Sequence, residues 1–216
     1  MILTTAVLEL ILEQVTRIIG IDPGSRVTGF CVLRCNGKLP AHPKLLKIDD
    51  TGAIKPDLKL PHHDRIGLIH QSVGSIIQKW KPDFFVIEKA FIGVNSLSAL
   101  RLGETRGSLI AAARNYQVNV HEVSPNEVKK AVTGRGHAAK EEVARCIGLH
   151  LNITTKNLPH DVTDAMAIAF SFAIQYAPQQ KNITISKELA KKTKKKTWEQ
   201  FIATRATRKP DQPIEC

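Results

Sequence analysis

The sequence predicts an α/β fold in which helices flank a mixed sheet of five strands. Three β-type segments follow one another early in the chain, and apolar strand segments then alternate with long segments of helical periodicity. Hydrophobic residues make up 43% of the 216 residues and charged residues 24%, which is ordinary for a globular protein with a real core. This composition excludes wholesale disorder.

The first three strands are predicted to form a meander. Residues 17–22 (RIIGID) are a short apolar run that ends in Asp22, and the sequence PGS after it predicts a turn. Residues 27–35 (VTGFCVLRC) are β-branched and apolar, so the two segments together predict a β-hairpin. A third strand is expected around residues 45–48.

Helices and strands are predicted to alternate in the middle of the chain. Apolar residues at helical spacing predict a helix over residues 60–80, which ends before Pro82. A buried strand is expected at residues 84–88 (FFVIE), then a long Ala- and Leu-rich helix over 96–116, then a strand over 117–123.

Three further helices are predicted after these strands. Ser124 and Pro125 form an N-cap and first-turn pair that opens one helix. A glycine-bearing loop, TGRGHAAK, leads into a helix over residues 140–151, and residues 160–176 predict a strongly apolar last helix with two carboxylates at its start. No internal repeat is visible.

The charge of the chain indicates a polyanionic partner. Lys and Arg number 31 against 20 Asp and Glu, a surplus of +11, and ten of these bases against four acids lie in residues 178–216. Nucleic acid is therefore the first partner to test. We predict one compact domain over 17–177 and a solvated basic tail over 178–216 that contacts DNA phosphates without reading bases.

The first 16 residues are expected to be an extension outside this domain. They are apolar, but they lack a basic start and contain two glutamates, so a signal peptide is not favoured. A short extra helix and an extension without function are the two alternatives, and we prefer the second. No run approaches the ~20 apolar residues of a membrane-spanning helix, so no membrane partner is expected.

The four cysteines favour a cytoplasmic protein. They show no C-x-x-C spacing and no histidine at zinc-finger distance, so neither a disulfide framework nor a structural zinc site is predicted.

Four acidic residues are candidates for a metal site. Asp22 and Glu88 each end an apolar strand, while Asp161 and Asp164 share one face at the start of the last helix. If the two strands are neighbours, the four carboxylates converge where no Lys or Arg is needed to neutralise them. Such a cluster would repel itself unless a hard cation such as Mg²⁺ or Mn²⁺ occupied it. The alternatives stay open: Asp in a turn or at a helix start is usually structural, whereas a buried Glu needs compensation.

Five segments of the chain together resemble one family, the RuvC Holliday-junction resolvases. They occur in the family's order: GIDPGSRVTGF (20–30), DFFVIEKAF (83–91), LSALRLGETRG (97–107), VSPNEVKKAVTGRGHAAKEEV (123–143) and HDVTDAMAIAF (160–170). The resemblance covers about three quarters of the chain. It implies a ribonuclease-H-like fold, a homodimer, a branch-migration motor as a further partner, and Mg²⁺-dependent hydrolysis of two symmetrically placed phosphodiesters in a four-way DNA junction.

The resemblance assigns a role to each of the four acids. Asp22 matches the first metal ligand, in GIDPGS, and Glu88 matches the second, in VIE. Asp161 and Asp164 match the acidic pair of the D-x-x-D-A helix. The resemblance implies that they hold two ions, with Mn²⁺ able to replace Mg²⁺.

Basic and aromatic residues are assigned in the same way. Lys129 and Lys140 match family lysines that hold the scissile phosphate and its developing charge. Phe91 matches an aromatic residue that stacks on bases at the junction centre. Lys89 stands where the family commonly has Gln and is expected to add a phosphate contact. Without the resemblance, solvated lysines and a core phenylalanine would be the simpler interpretation.

The chain departs from the family at Glu104, where Gln is usual, and at Thr105, where Ala is usual. A carboxylate at Glu104 is expected to lie close to bound DNA and to weaken binding.

Three alternatives remain at this point. An actin-like ATPase or kinase would need a second phosphate loop for which the chain is too short. A basic DNA-binding module without catalysis would not need all four acids. A ribosomal-RNA-processing nuclease of the same fold would be expected to lack the lysine block and the segment around Phe91.

Overall fold

The computed structural model of the protein describes residues 15–89 and 96–176. The N-terminal extension as far as residue 14, the segment containing Phe91 and the basic tail lie outside the described residues. The described residues form five strands and five α-helices. These are β1 Val15–Asp22, β2 Thr28–Asn36, β3 Leu46–Ile54, α1 His62–Trp80, β4 Phe84–Glu88, α2 Ser96–Asn115, β5 Asn119–Val123, α3 Pro125–Thr133, α4 Lys140–Leu151 and α5 His160–Gln175.

The strands form one mixed sheet in the order β3-β2-β1-β4-β5. β1 pairs with β2, and β2 with β3, in antiparallel fashion, whereas β1–β4 and β4–β5 are parallel. The predicted mixed five-stranded sheet is therefore confirmed. In the β1–β4 pair Ile21 lies opposite Ile87, so Asp22 and Glu88 end neighbouring strands at one edge of the sheet.

Helices cover both faces of the sheet because side chains alternate along the strands. Ile18 belongs to the apolar cluster formed with α3, α4 and α5, whereas Ile19 and Ile21 belong to the cluster formed with α1 and α2. β1 is buried on both faces, which explains its continuous run of apolar residues.

Two glycines let α5 lie unusually close to the sheet. A Cβ atom on Gly20 would lie 2.5 Å from the carbonyl oxygen of Ala165, and a Cβ atom on Gly29 would overlap the carbonyl oxygen of Asp161. Both neighbours are backbone atoms of α5, which cannot move without moving the helix. The two glycines therefore determine how closely the start of α5 approaches the ends of β1 and β2.

We predict that Gly29→Ala destabilises the protein by about 3 kcal/mol, because overpacking against backbone is costly. The measurement is urea unfolding followed by circular dichroism. Gly67→Ala in α1 is the control, since a Cβ atom there meets nothing within 4 Å and alanine favours helix. Equal stability of Gly29→Ala and wild type would show that α5 does not rest on Gly29.

The main differences from the sequence prediction are element lengths. β1 begins at Val15 rather than residue 17, and β3 continues to Ile54 instead of ending near residue 48. β3 is long because it pairs with β2 along the edge of the sheet, where its polar residues find partners: Asp49 accepts from Arg34 at 2.8 Å and from Arg17 at 3.1 Å. Strand propensity alone does not predict an Asp-rich edge strand.

Several helix boundaries agree closely with prediction. The predicted N-cap Ser124 forms a complete capping box with Glu127. α4 spans Lys140–Leu151 as expected. α1 begins at His62, two residues later than predicted, because Pro61 occupies its N-cap position. Within residues 15–89 and 96–176, no helix has the length and apolar character needed to cross a membrane.

Candidate active site

Five of the sequence-predicted residues line one cavity of about 300 Å³ at the carboxyl ends of β1 and β4. They are Asp22, Glu88, Lys129, Lys140 and Asp164. The remaining lining residues are mostly apolar, and they come from α3, α4 and α5. The cavity therefore joins acidic and basic groups at the edge of the sheet where ligands of parallel α/β folds commonly bind.

Each polar residue is placed by its secondary-structure element. Asp22 and Glu88 are the last residues of adjacent parallel strands. Asp164 follows on the second turn of α5, which the glycines of β1 and β2 allow to approach. Lys140 is the first residue of α4, and Lys129 lies in α3.

Asp161 lies beside this group without lining the cavity. It is half-buried in the first turn of α5, and its negative charge contributes to raising the pKa of Asp22. Its role as a ligand remains a prediction.

The acidic side chains lie close enough to disfavour one another's ionisation. Burial, followed by the charges of Asp164, Glu88 and Asp161, raises the pKa of Asp22 to about 7, against an opposing effect of Lys140. Burial and Asp164 raise the pKa of Glu88, against Lys140 and Lys129. The cavity thus holds more negative charge than its surroundings compensate.

Lys140 pairs with one of the acids of the cavity. Its Nζ atom lies 2.8 Å from Oδ2 of Asp164, and this hydrogen bond is the main cause of the raised pKa of Lys140. The lysine side chain is 63% exposed, so the pair contributes little stability. It can therefore open at low cost when another cation or a phosphate approaches.

The donor set fits a hard divalent cation. Its ligands would be carboxylate oxygens, and their mutual repulsion would be relieved by positive charge. Among residues 15–89 and 96–176, however, no three His, Cys, Asp or Glu side chains are already grouped closely enough to hold an ion. The acids would have to draw closer around a bound ion, with Lys140 giving up Asp164.

Arg106 is a site residue that sequence reasoning missed. Its side chain is only 14% exposed, its Nε donates to the carbonyl oxygen of Glu88 at 2.8 Å, and its Nη2 bonds Glu122. The arginine thereby ties α2 to the ends of β4 and β5. No sequence signal marks this role, because the partner at Glu88 is a backbone oxygen.

We predict that Arg106→Gln slows catalysis by roughly tenfold or more, because even a small displacement of a catalytic group is costly. Glu122→Gln is the matched control: it keeps the bond to Glu88 and should have a smaller effect. Single-turnover cleavage at saturating protein separates this loss from weaker binding. Equal losses in both variants would assign the effect to the ion pair instead of to the position of Glu88.

Lys89, Glu104 and Thr105 lie outside the cavity. Lys89 is exposed, and its backbone N–H donates to the carbonyl oxygen of Val123 at 2.8 Å. Thr105 is fully buried, with its hydroxyl bonded to the carbonyl oxygen of Arg101 at 2.9 Å, so its role is structural. Glu104 is paired with His62 at 2.8 Å, so the carboxylate expected to oppose DNA is bonded within the protein.

Comparisons with known proteins identify the family of this chain. The family model for crossover junction endodeoxyribonuclease RuvC matches residues 18–172. The RuvC protein of Chlorobium phaeovibrioides is 38% identical over 164 residues, covering 76% of this chain and 84% of that protein. The RuvC protein of Chloroherpeton thalassium is 37% identical over 185 residues, covering 85% and 94%.

A solved structure is also similar. The structure of Thermus thermophilus RuvC in complex with a Holliday junction substrate matches with a TM-score of 0.67 and 30% identity, covering 74% of this chain and 93% of that one. The predicted ribonuclease-H-like fold is thereby confirmed. The chain belongs to the RuvC family of crossover junction endodeoxyribonucleases.

Proposed function

We propose that this protein is a structure-selective endonuclease that resolves Holliday junctions in DNA recombination and repair. The observation that carries the proposal is the shared cavity of Asp22, Glu88 and Asp164 with two lysines, in a chain of the RuvC family. It would hydrolyse one phosphodiester bond on each of two symmetrically placed strands.

The family consists of divalent-metal-dependent nucleases, and we propose Mg²⁺ as the ion, with Mn²⁺ as a substitute and two ions at each site. Asp22, Glu88, Asp161 and Asp164 would hold them. Such ions supply an activated water and stabilise the leaving oxygen of a phosphodiester.

The two lysines of the cavity would act on the phosphate. Lys129 and Lys140 are cations that line the same cavity as the carboxylates. The carboxylates alone would repel an anionic substrate, so the lysines are the groups that can bind it. Lys140 would leave Asp164 and donate to a phosphate oxygen, where it stabilises the charge that grows in the transition state. Lys129 would hold the scissile phosphate in the cavity.

Phe91 and Lys89 are proposed to bind DNA at the junction centre. Lys89 directly follows Glu88 and is exposed, so its charge is available to a phosphate near the site. Phe91, two residues further on, would stack on an unpaired base, which is worth about 1–3 kcal/mol.

We predict that Phe91→Ala binds junctions but cuts them slowly, because the junction centre then closes and holds the scissile phosphate away from the site. Cleavage should recover on a junction that is already unpaired at the crossover. Parallel cleavage of paired and unpaired junctions is the measurement. Equal impairment on both substrates would indicate damage to the fold.

A homodimer is proposed because two opposed strands require two active sites related by a two-fold axis. Residues 97–113 of α2 are the candidate contact, since Leu97 and Leu100 are large apolar side chains that are 55% and 60% exposed. Sedimentation at assay concentrations tests this. A stable monomer that still makes paired nicks would contradict it.

We also propose a cytoplasmic location, because the protein acts on DNA and its free cysteine thiols would stay reduced there.

A branch-migration motor is proposed as a further partner. Residues 17–177 would act as the nuclease domain, and the lysine-rich tail would strengthen binding to junction and linear DNA alike.

The deciding experiment is to incubate the pure protein with Mg²⁺ and a synthetic four-way junction, beside linear duplex and structured RNA. Paired nicks confined to the junction are expected. Cleavage of the RNA would favour the ribosomal-RNA-processing alternative, and binding without cleavage would favour a non-catalytic DNA-binding module.

A further inference from the structure

A second cavity, which shares no lining residue with the catalytic one, is lined by three arginines. It has a volume of about 330 Å³, and its polar lining consists of Ser25, Arg26, Arg65, Ser98 and Arg101. We call it the arginine cleft. It lies among the β1–β2 connection, the start of α1 and the first turns of α2.

Arg65 forms a fixed wall of the arginine cleft. Its Nε donates to the carbonyl oxygen of Ser25 at 3.1 Å, and its Nη1 donates to the carbonyl oxygen of Leu60 at 2.7 Å. The half-buried guanidinium therefore ties the β1–β2 connection to α1. Two of its N–H donors are therefore already bonded to backbone oxygens of the protein.

Arg26 and Arg101 differ from Arg65 in this respect. Both side chains are exposed, and neither forms a hydrogen bond or an ion pair with any residue in 15–89 or 96–176. Among residues 15–89 and 96–176, no acidic residue lines the cleft. Two guanidinium groups thus face one concave space, and no acid of the described residues neutralises them there.

The acid nearest to Arg101 along α2 does not neutralise the cleft either. Glu104 lies 2.8 Å from Nε2 of His62, while Nη2 of Arg65 lies 3.4 Å from Nδ1 of the same ring. Because arginine only donates, Nδ1 must accept, and the Nε2 proton of His62 is donated to Glu104. Glu104 is thus bonded to His62 and forms no ion pair with Arg26 or Arg101.

We propose that Arg26 and Arg101 together bind one backbone phosphate of the DNA that the active site cuts. The contact rests on the proposed function, and it requires that Arg101 stay outside the dimer contact that Leu97 and Leu100 of α2 would form. Two guanidinium forks in a cleft suit a tetrahedral oxyanion. Arg26 is four residues after Asp22, so it lies within ~14 Å of that catalytic end of β1. A strand whose scissile phosphate lies in the catalytic cavity can therefore place another phosphate in the arginine cleft.

This contact would hold the strand in place without selecting a sequence, because phosphates carry no base information. Its location explains why Arg65 is held so firmly: Arg65 fixes the connection that carries both Ser25 and Arg26. The cleft would thus keep the DNA in register with Asp22, and weakening it would lower affinity for junction and duplex alike.

The test is the salt dependence of binding by Arg26→Gln, Arg101→Gln and the double variant, measured by fluorescence anisotropy without divalent metal. Each single variant should bind a four-way junction roughly tenfold more weakly. The double variant should lower the slope of log affinity against log salt by about 0.9, the value of one phosphate contact rather than two. Arg101→Lys keeps the charge and should keep the slope.

Lys38→Gln is the control, because Lys38 is exposed beyond the end of β2 opposite the site and should leave the slope unchanged. Thermal melting by circular dichroism verifies that each variant is folded. A double variant with the wild-type slope would overturn the arginine cleft as a phosphate site. A slope lowered by about 1.8 would correspond to two phosphate contacts, and it would overturn the proposal that the two arginines share one phosphate. Failure of the wild type to bind or cut junctions would instead refute the proposed function.

Discussion

Asp22→Asn, Glu88→Gln and Asp164→Asn are each expected to abolish junction cleavage while leaving junction binding intact or tighter. The three carboxylates line the catalytic cavity, where their oxygens would hold divalent ions. Loss of one ligand should slow cleavage on the order of a thousandfold or more, since ions stabilise the transition state by several kcal/mol. Affinity should survive, because it comes from phosphate contacts, and removal of a negative charge favours them.

Cleavage and gel-shift assays on the same preparation separate the two effects. Glu141→Gln is the matched control, because Glu141 is an exposed acid next to Lys140 that does not line the catalytic cavity. It should cut at the wild-type rate. Cutting by any of the three variants at near wild-type rate would contradict the assignment of these acids.

The fold was largely predictable because its local signals agree. The strand around Ile18 and the strand FFVIE are both continuous apolar runs, as expected for strands buried on both faces. Ser124 and Glu127 show the capping-box pattern in sequence and in structure. Periodicity and capping are local properties, so one sequence is enough to see them.

The site was only partly predictable, because its contacts join residues far apart in the chain. That Asp22 and Glu88 each end an apolar strand is visible in the sequence, but their proximity depends on the parallel pairing of β1 with β4. The ion pair of Lys140 with Asp164 and the bond of Arg106 to a backbone oxygen leave no periodic trace. Tertiary structure alone brings them together.

The stability of the metal-free protein should fall as pH rises from about 4 to 7, through the titration of Asp22. Its pKa is about 7 in the folded protein, against 3.8 for an ordinary Asp. Between these values the folded state keeps a proton that the unfolded state loses, so unfolding becomes easier as pH rises. At ~1.4 kcal/mol for each pKa unit, the full effect above pH 7 is at most about 4 kcal/mol.

Other groups also change the stability with pH, some in the opposite direction and some in a different pH range. Glu88 adds to the effect, since its pKa is also raised. His121 opposes it, because burial lowers its pKa from 6.5 and its contribution to stability is lost as pH falls. The raised pKa of Lys140 lies above 10.5, so its contribution stays constant in this range. Comparison with Asp22→Asn cancels the contribution of His121 and isolates that of Asp22.

Asp22→Asn should therefore be more stable than wild type at pH 8 in EDTA, and nearly equal to it below pH 4. Thermal melting by circular dichroism should show a difference of roughly 10 °C at pH 8, since 1 kcal/mol shifts a domain of this size by ~2–4 °C. Mg²⁺ should then raise the melting temperature of the wild type but not of the variant, because the ion relieves the repulsion that the substitution removes. Equal melting temperatures of the two proteins at pH 8 without metal would show that the ionised carboxylate of Asp22 does not destabilise the folded protein.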